Sequence, residues 1–266
     1  MIPALWIALV LGVVEGLTEF LPVSSTGHLI LVGHALGFTG PKAEVFEVFI
    51  QAGAMVAVLG LYRARFAALL RPAAPGAFGG ARGVALLALT TAPILVAGYL
   101  LRHGIRDVLF SPAWVAAALA VGALALLAVE RLCRGRGGVS LDAGVGPRTA
   151  LAIGLCQCLA LWPGFSRAGA TIAGGMLCGL SRSAAAEWSF LAAVPVILIA
   201  SAHEAWEARD SIGAEDALFL GVGFVVSAVA AAVAIRAFTA VLSRTTLVPF
   251  AIYRLALAAA VALALA

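Results

Sequence analysis

Apolar residues run through this chain in long stretches, not in the one-sided stripes or strict alternation of a fold surrounded by water. Six stretches approach the ~20 residues needed to cross a hydrocarbon core: Glu44 to Tyr62, Val84 to Leu101, Pro112 to Glu130, Glu187 to Ser201, Ala217 to Arg236 and Leu247 to Ala266. Backbone polar groups in lipid must be satisfied within their own segment, so each stretch is expected to be a helix. Two other apolar stretches have a different pattern. Ile2 to Leu36 is interrupted near its centre by Leu-Pro-Val-Ser-Ser-Thr-Gly, and Thr149 to Leu180 by Trp-Pro-Gly-Phe-Ser-Arg-Ala-Gly. Proline ends one helix and the hydroxyl residues behind it cap the next, which predicts a helix, a sharp break and a short returning helix.

The pattern therefore predicts a single all-α polytopic membrane domain of six transmembrane helices plus two re-entrant helical hairpins. Each hairpin precedes three spans. The first half covers about residues 1–130, a connecting loop covers 131–148, and the second half covers 149–266, with Pro22 set against Pro163 and Ser25 against Ser166. Three spans is an odd number, so the halves form an inverted-topology repeat whose hairpins approach each other from opposite faces.

Composition removes the soluble alternatives: 63% of residues are hydrophobic and 11% charged, far from the roughly one-quarter charged content of soluble domains. The net charge of +4 comes from clustered arginines, which in such a chain report orientation and give no reason to expect nucleic acid. Arg63, Arg65, Arg71 and Arg82 lie in one loop and Arg131, Arg134, Arg136 and Arg148 in another, and both are expected to be cytoplasmic. Alternation then puts Arg102 to Ser111 outside, with the acidic stretch carrying Glu204, Glu207, Asp210, Glu215 and Asp216, and both termini. The first fourteen residues lack a basic leader and a cleavage site and are expected to belong to the fold. Cys133, Cys156, Cys158 and Cys178 lack the spacing of a zinc site or a disulfide framework.

Polar residues inside such a chain are expensive and concentrate attention on the two breaks. Glu15 and Glu19, four apart, share one helix face. Ser24, Ser25, Thr26, Gly27 and His28 crowd the start of a half-helix, where hydroxyls, free N–H groups and an imidazole suit an anion; capping alone would also explain the hydroxyls, and a satisfied core histidine His28. Ser166, Arg167 and Thr171 occupy the second half-helix start, where the guanidinium either holds a phosphate with two parallel hydrogen bonds or pairs with Glu15 or Glu19. Two carboxylates beside an anionic ligand need a cation between them, and oxygen donors point to Mg²⁺ or Ca²⁺. Arg254, about two turns inside the last span, is expected to snorkel to the cytoplasmic face or to pair with a carboxylate.

These residues also carry a family resemblance. Glu15-x-x-x-Glu19 followed by Phe20-Leu21-Pro22-Val23-Ser24-Ser25-Thr26-Gly27-His28, with Pro163-Gly164-Phe165-Ser166-Arg167 and Thr171, resembles the BacA-type undecaprenyl-pyrophosphate phosphatases of bacterial membranes. Phe46-Glu47-Val48 with Ile50-Gln51, Trp188-Ser189-Phe190-Leu191 with Pro195, and Pro249-Phe250 with Tyr253-Arg254 extend it over nearly the whole chain. The resemblance implies removal of the terminal phosphate of undecaprenyl pyrophosphate, recycling the lipid carrier of peptidoglycan synthesis. It further implies a divalent cation, a multi-pass protein of the bacterial inner membrane with a periplasmic site, and bacitracin resistance on overproduction. The family's second motif usually reads Ser-Arg-Ser; here Ala168 follows Arg167.

On this reading Glu15 and Glu19 hold the metal, while Arg167, Ser166, Thr171, Ser24, Thr26, Gly27 and the half-helix N–H groups hold the pyrophosphate. Ser25 or a water attacks phosphorus, with His28 moving protons. A polyprenyl-phosphate flippase is the rival, because inverted repeats with broken helices also build transporters. A channel is disfavoured by the lack of a filter motif. Both a monomer and a homodimer are compatible with the sequence.

Overall fold

The computed structural model describes residues 2–72, 78–109, 111–207, 209, 213, 216–242 and 244–265; Asp210, Glu215 and Ala266 lie outside the described residues. The helices are α1 (Ile2–Thr18), α2 (Ser25–Ala35), α3 (Pro41–Leu61), α4 (Arg63–Leu69), α5 (Gly80–Leu109), α6 (Pro112–Leu132), α7 (Leu141–Gly144), α8 (Pro147–Gln157), α9 (Arg167–Leu177), α10 (Arg182–Glu207), α11 (Ala217–Leu242) and α12 (Val248–Leu265), with a 3-10 turn at Cys158–Leu161 between α8 and α9. Among the described residues, six helices are long and apolar enough to cross a membrane: α3, α5 (over Gly80–Arg102), α6, α10, α11 and α12. They are the six expected from the apolar stretches.

Both interrupted stretches are helix–break–helix units whose arms pack on each other, α1 on α2 and α8 on α9. The helices of the two halves interlock. α1 packs on α11 as α8 packs on α5, and α3 packs on α11 as α10 packs on α5, so exchanging the halves reproduces the pairing. α6 meets α12 and α3 meets α10 across the same relation.

With no water to expel between spans, close approach of backbones does much of the packing. A side chain at Gly16 would place its first carbon 2.5 Å from the Ser227 carbonyl and 2.6 Å from Ala230 Cβ, so only glycine lets α1 lie against α11. Ser227, fully buried at this crossing, donates its hydroxyl to the Ile50 carbonyl at 2.7 Å and ties α11 to α3.

Charged contacts finish the two ends. At one end Arg65 bridges Asp142 at 2.7 Å and Glu187 at 2.8 Å, and Arg82 donates to the Val145 carbonyl. The two arginine-bearing loops thus lie together, as their shared charge predicts. Glu130 accepts two hydrogen bonds from Arg182, at 2.7 and 2.6 Å, and one from the Leu247 N–H, joining α6, α10 and the start of α12. At the opposite end Lys42 pairs with Asp216 at 3.2 Å.

The crossing at Gly16 gives a direct test. Gly16→Val should lower the thermal unfolding midpoint of the detergent-solubilised protein, since forcing extra carbons into a closed contact costs about 1–3 kcal/mol. Gly60→Ala, on the same kind of helix but with nothing within 4 Å, should not lower it and should raise it slightly if at all, since alanine favours the helix over glycine.

Candidate active site

Each break is built the same way. The residue that caps the second arm is Ser24 in one unit and Ser166 in the other, at φ 72° and 77°, and these are the positive-φ residues other than glycine among the described residues. Each serine hydroxyl accepts the N–H three residues on, from Gly27 at 3.3 Å and from Gly169 at 3.0 Å. A non-glycine residue in such a conformation costs about 1–3 kcal/mol and persists only where its surroundings hold it. The caps set the alignment of the halves: Ser24, not Ser25, corresponds to Ser166, and Ser25 corresponds to Arg167. The proline-based alignment is off by one because Gly164, at φ 102°, adds a residue to the second break.

What holds both breaks is Arg254. Neither snorkelling nor paired with a carboxylate, it is completely buried and spends its donors on backbone carbonyls. Nη1 donates to Pro22 in the first break, Nη2 to Gly164 in the second and to Ala118, and Nε to Leu119, at 3.0–3.3 Å. The expectation failed because it looked for a charged partner, whereas the breaks leave carbonyls with no helical donor and a five-donor fork answers several at once.

The breaks meet in a cavity of about 140 Å³ lined by Glu19, Ser24, Ser25, Thr26, Gln51, Ala160, Pro163, Gly164, Ser166, Arg167 and Ile197. Ser25 Oγ donates to Glu19 Oε2 at 2.5 Å, and Arg167 Nη2 donates to Glu19 Oε1 at 2.7 Å. Glu19 therefore holds the hydroxyl of one break and the guanidinium of the other. Arg167 Nη1 is fixed by the Ser189 carbonyl at 2.9 Å and hydroxyl at 3.3 Å, while its Nε is buried without a partner. Glu15, one turn back from Glu19, is fully buried, and neither of its oxygens has a hydrogen-bond donor.

Other expected site residues sit differently. Thr171 is fully buried behind Arg167, donating its one hydroxyl proton to the Arg167 carbonyl at 2.9 Å and lying 2.7 Å from Ser189 Oγ, from which it can accept, so it steadies the guanidinium and does not line the cavity. Gly27 lies under the Ser24 cap, where a side chain would meet Ser24 Oγ at 3.3 Å and Val115 at 3.4 Å. Ala168 is buried in the main apolar cluster away from the cavity, so the hydroxyl missing there would not have faced a ligand.

His28 is turned away from Ser25. Its Nδ1 lies 2.7 Å from the Ser24 carbonyl and its Nε2 2.6 Å from the Tyr253 hydroxyl, with the two rings stacked at 5.6 Å. A carbonyl only accepts, so Nδ1 carries the proton, and in the neutral ring Nε2 accepts from Tyr253. The acceptor beside the Ser25 hydroxyl is Glu19. Residue-by-residue reading missed Ser189 and Gln51 as members of the site; the signal was an uncharged polar residue on an otherwise apolar span.

Removing Arg254 should loosen both breaks together. Each orphaned buried carbonyl costs about 1–3 kcal/mol. Arg254→Leu should raise amide hydrogen exchange across residues 20–27 and 163–169 and lower the melting temperature, with Arg254→Lys recovering only part because an ammonium cannot reach all four carbonyls.

The sequence profile described as "Bacitracin resistance protein BacA" matches residues 8–260. Proteins named undecaprenyl-diphosphatase are similar over nearly the full length. That of Solidesulfovibrio magneticus is 53% identical over 254 residues, 96% of each chain. That of Maridesulfovibrio salexigens is 52% identical over 255 residues, again 96% of each. That of Lawsonia intracellularis is 47% identical over 256 residues, also 96% of each. With motifs at both breaks and this breadth of similarity, the chain belongs to the BacA family.

Proposed function

We propose that this chain hydrolyses undecaprenyl pyrophosphate to undecaprenyl phosphate and inorganic phosphate, the reaction for which its relatives are named, and that the cavity between the two breaks is where it does so. The carrying observation is Ser25 Oγ at 2.5 Å from Glu19 Oε2, with Arg167 on the other oxygen of the same carboxylate. A cavity of about 140 Å³ suits a phosphate-bearing headgroup and leaves the polyprenyl tail in the bilayer.

The chemistry follows from these positions. The terminal phosphate lies against the first-turn N–H groups of α2 and α9, which have no acceptor within their helices. Arg167 Nε is a donor already waiting, and Nη2 joins it when the substrate displaces Glu19. Ser25 Oγ attacks the terminal phosphorus and passes its proton to Glu19, the bond from phosphorus to the bridging oxygen breaks, and undecaprenyl phosphate leaves with the electron pair. It takes that proton from Glu19, which is again a carboxylate. A water gives its proton to Glu19 and attacks the phosphoserine, the bond from phosphorus to Ser25 Oγ breaks, and Glu19 returns the proton to Oγ as inorganic phosphate leaves. His28, held by Tyr253, fixes the Ser24 carbonyl and so the direction of the first break.

The donors also fit a divalent cation. Glu15 offers two buried oxygens with no donor, Glu19 has lone pairs left after its two hydrogen bonds, and the hydroxyl of Ser25 adjoins them. In this reading Glu15 and Glu19 hold Mg²⁺ or Ca²⁺, which when bound neutralises charge on the diphosphate. A lipid flippase would need Arg167 for recognition but gains nothing from a serine hydroxyl held on a carboxylate. We place the protein in the inner membrane with its arginine-bearing loops in the cytoplasm and the cavity reached from the periplasmic side, where the product re-enters the carrier cycle of cell-wall synthesis.

Phosphate release by the purified protein from undecaprenyl pyrophosphate, with and without a chelator, tests both substrate and cation: release should stop with chelator and return on adding Mg²⁺ or Ca²⁺. In the same assay Ser25→Ala should lose nearly all turnover, whereas Ser24→Ala, which removes a cap worth about 1 kcal/mol, should chiefly cost stability. Robust hydrolysis by Ser25→Ala would hand the attack to water.

Arg167→Lys should fold yet lose at least about tenfold in kcat/KM, because lysine keeps the charge without the planar fork. The fall should appear in kcat more than as a rise in KM if the fork acts on the transition state.

A further inference from the structure

Arg167 carries more donors than one phosphate needs, and the contacts that hold some of them decide which are left for a ligand. The guanidinium is planar, with Nε and Nη2 along one edge and Nη1 and Nη2 along the other. A group that takes Nη1 therefore leaves the Nε–Nη2 edge as the one able to give two parallel hydrogen bonds. Ser189 takes Nη1 twice, with its carbonyl at 2.9 Å and its hydroxyl at 3.3 Å. On the edge left open, Nε is buried without a partner and Nη2 rests on Glu19 at 2.7 Å. Glu19 holds the Ser25 hydroxyl on its other oxygen, so Nη2 and Ser25 Oγ meet on the same carboxylate.

The Ser189 hydroxyl is itself held in the orientation that accepts from Nη1. A carbonyl only accepts and a guanidinium only donates, which gives the hydroxyl contacts one consistent order. Thr171 gives its proton to the Arg167 carbonyl at 2.9 Å, and Ser189 gives its own to Thr171 Oγ1 at 2.7 Å. Ser189 Oγ thus keeps its lone pairs for Nη1. The chain starts at the backbone of Arg167 and ends on the side chain of the same residue, so the guanidinium is tied to its own helix turn. Two rings complete the cradle: the Phe20 ring centroid lies 6.0 Å from the guanidinium carbon, and Phe190, next to Ser189, meets Phe20 edge-on at 5.6 Å.

Ser189 is fully buried and does not line the cavity, so whatever it does for a ligand passes through Arg167. We propose, on the reading that Arg167 takes the terminal phosphate, that Ser189 is a positioning residue for hydrolysis: by occupying Nη1 it makes Arg167 present its Nε–Nη2 edge beside Ser25. A guanidinium free to turn would divide its time between edges and single contacts. Misorientation of that kind weighs on the reacting geometry more than on capture of the lipid.

The test is steady-state hydrolysis of undecaprenyl pyrophosphate by the purified protein, with a thermal melt of each variant. Ser189→Ala keeps the carbonyl contact and loses the hydroxyl; kcat should fall about tenfold while KM changes by less than about threefold. Ser189→Cys, closer in shape and with a sulfur that still accepts weakly, should fold and lose less. Ser201→Ala removes another buried hydroxyl of the same helix, the one that donates to the Val48 carbonyl at 3.4 Å, and should leave kcat within about twofold. In an Arg167→Lys background Ser189→Ala should cost less than about twofold more, since the edge it positions is already gone. Losses that multiply in that double variant, or a wild-type kcat in Ser189→Ala, would overturn the positioning role and leave the Arg167 contact standing. If the wild type releases no phosphate from this lipid, or Arg167→Lys turns over as the wild type does, the reading of Arg167 falls and the role of Ser189 with it.

Discussion

A helix that breaks away from water frees carbonyls on one side of the break and N–H groups on the other, and each unpaired group buried in apolar surroundings costs as much as a lost hydrogen bond or more. This chain contains two such breaks side by side and answers them with few atoms. Ser24 and Ser166 turn their hydroxyls onto N–H groups of the following helix, and Arg254 reaches from α12 to carbonyls of both breaks and of α6. Because one guanidinium serves both breaks, their separation is fixed, and so is the cavity between them. The positive φ at each cap is sustained by the same contacts.

The N–H groups left over in the first turn of each returning helix then become useful. The cavity is lined by the first residues of both returning helices, Ser25 and Thr26 of α2 and Arg167 of α9, and helix N-termini favour an anion without a dedicated cluster of positive side chains. Arg167 adds the one formal cation among the cavity's lining residues and Glu19 the one carboxylate. On the proposed reading the site is built largely from helix starts that the two breaks create, with a small number of side chains acting on the ligand.

The six spans and the two interruptions were legible because apolar length and the Pro–hydroxyl–Gly sequence each follow directly from what a bilayer allows. Convergence of Glu19, Ser25 and Arg167 was legible as well, since residues expensive in lipid are placed for a reason. Three features were not. The register between the halves depends on the backbone conformation at Gly164, which proline matching ignores. Arg254 has carbonyl partners, and carbonyls carry no sequence signal. The orientation of His28 is set by Tyr253, 225 residues away, so its nearness in sequence to Ser25 was misleading.

The resting arrangement has a further consequence. Arg167 and Glu19 form a nearly buried pair at 2.7 Å, and such a pair recovers its desolvation only while both partners remain engaged. On the proposed reading the pair must open for a diphosphate to take Arg167, and an uncompensated Glu19 would then oppose the ligand. On the same reading a cation on Glu15 and Glu19 would remove that opposition, and Glu15 offers two oxygens with no donor of their own to hold it. Substrate and cation would then favour each other's binding, because each neutralises the charge the other exposes. Arg167, Glu19 and Glu15 would act as one exchange of partners: from a salt bridge plus an unsatisfied carboxylate to an anion on the arginine and a cation on the acids.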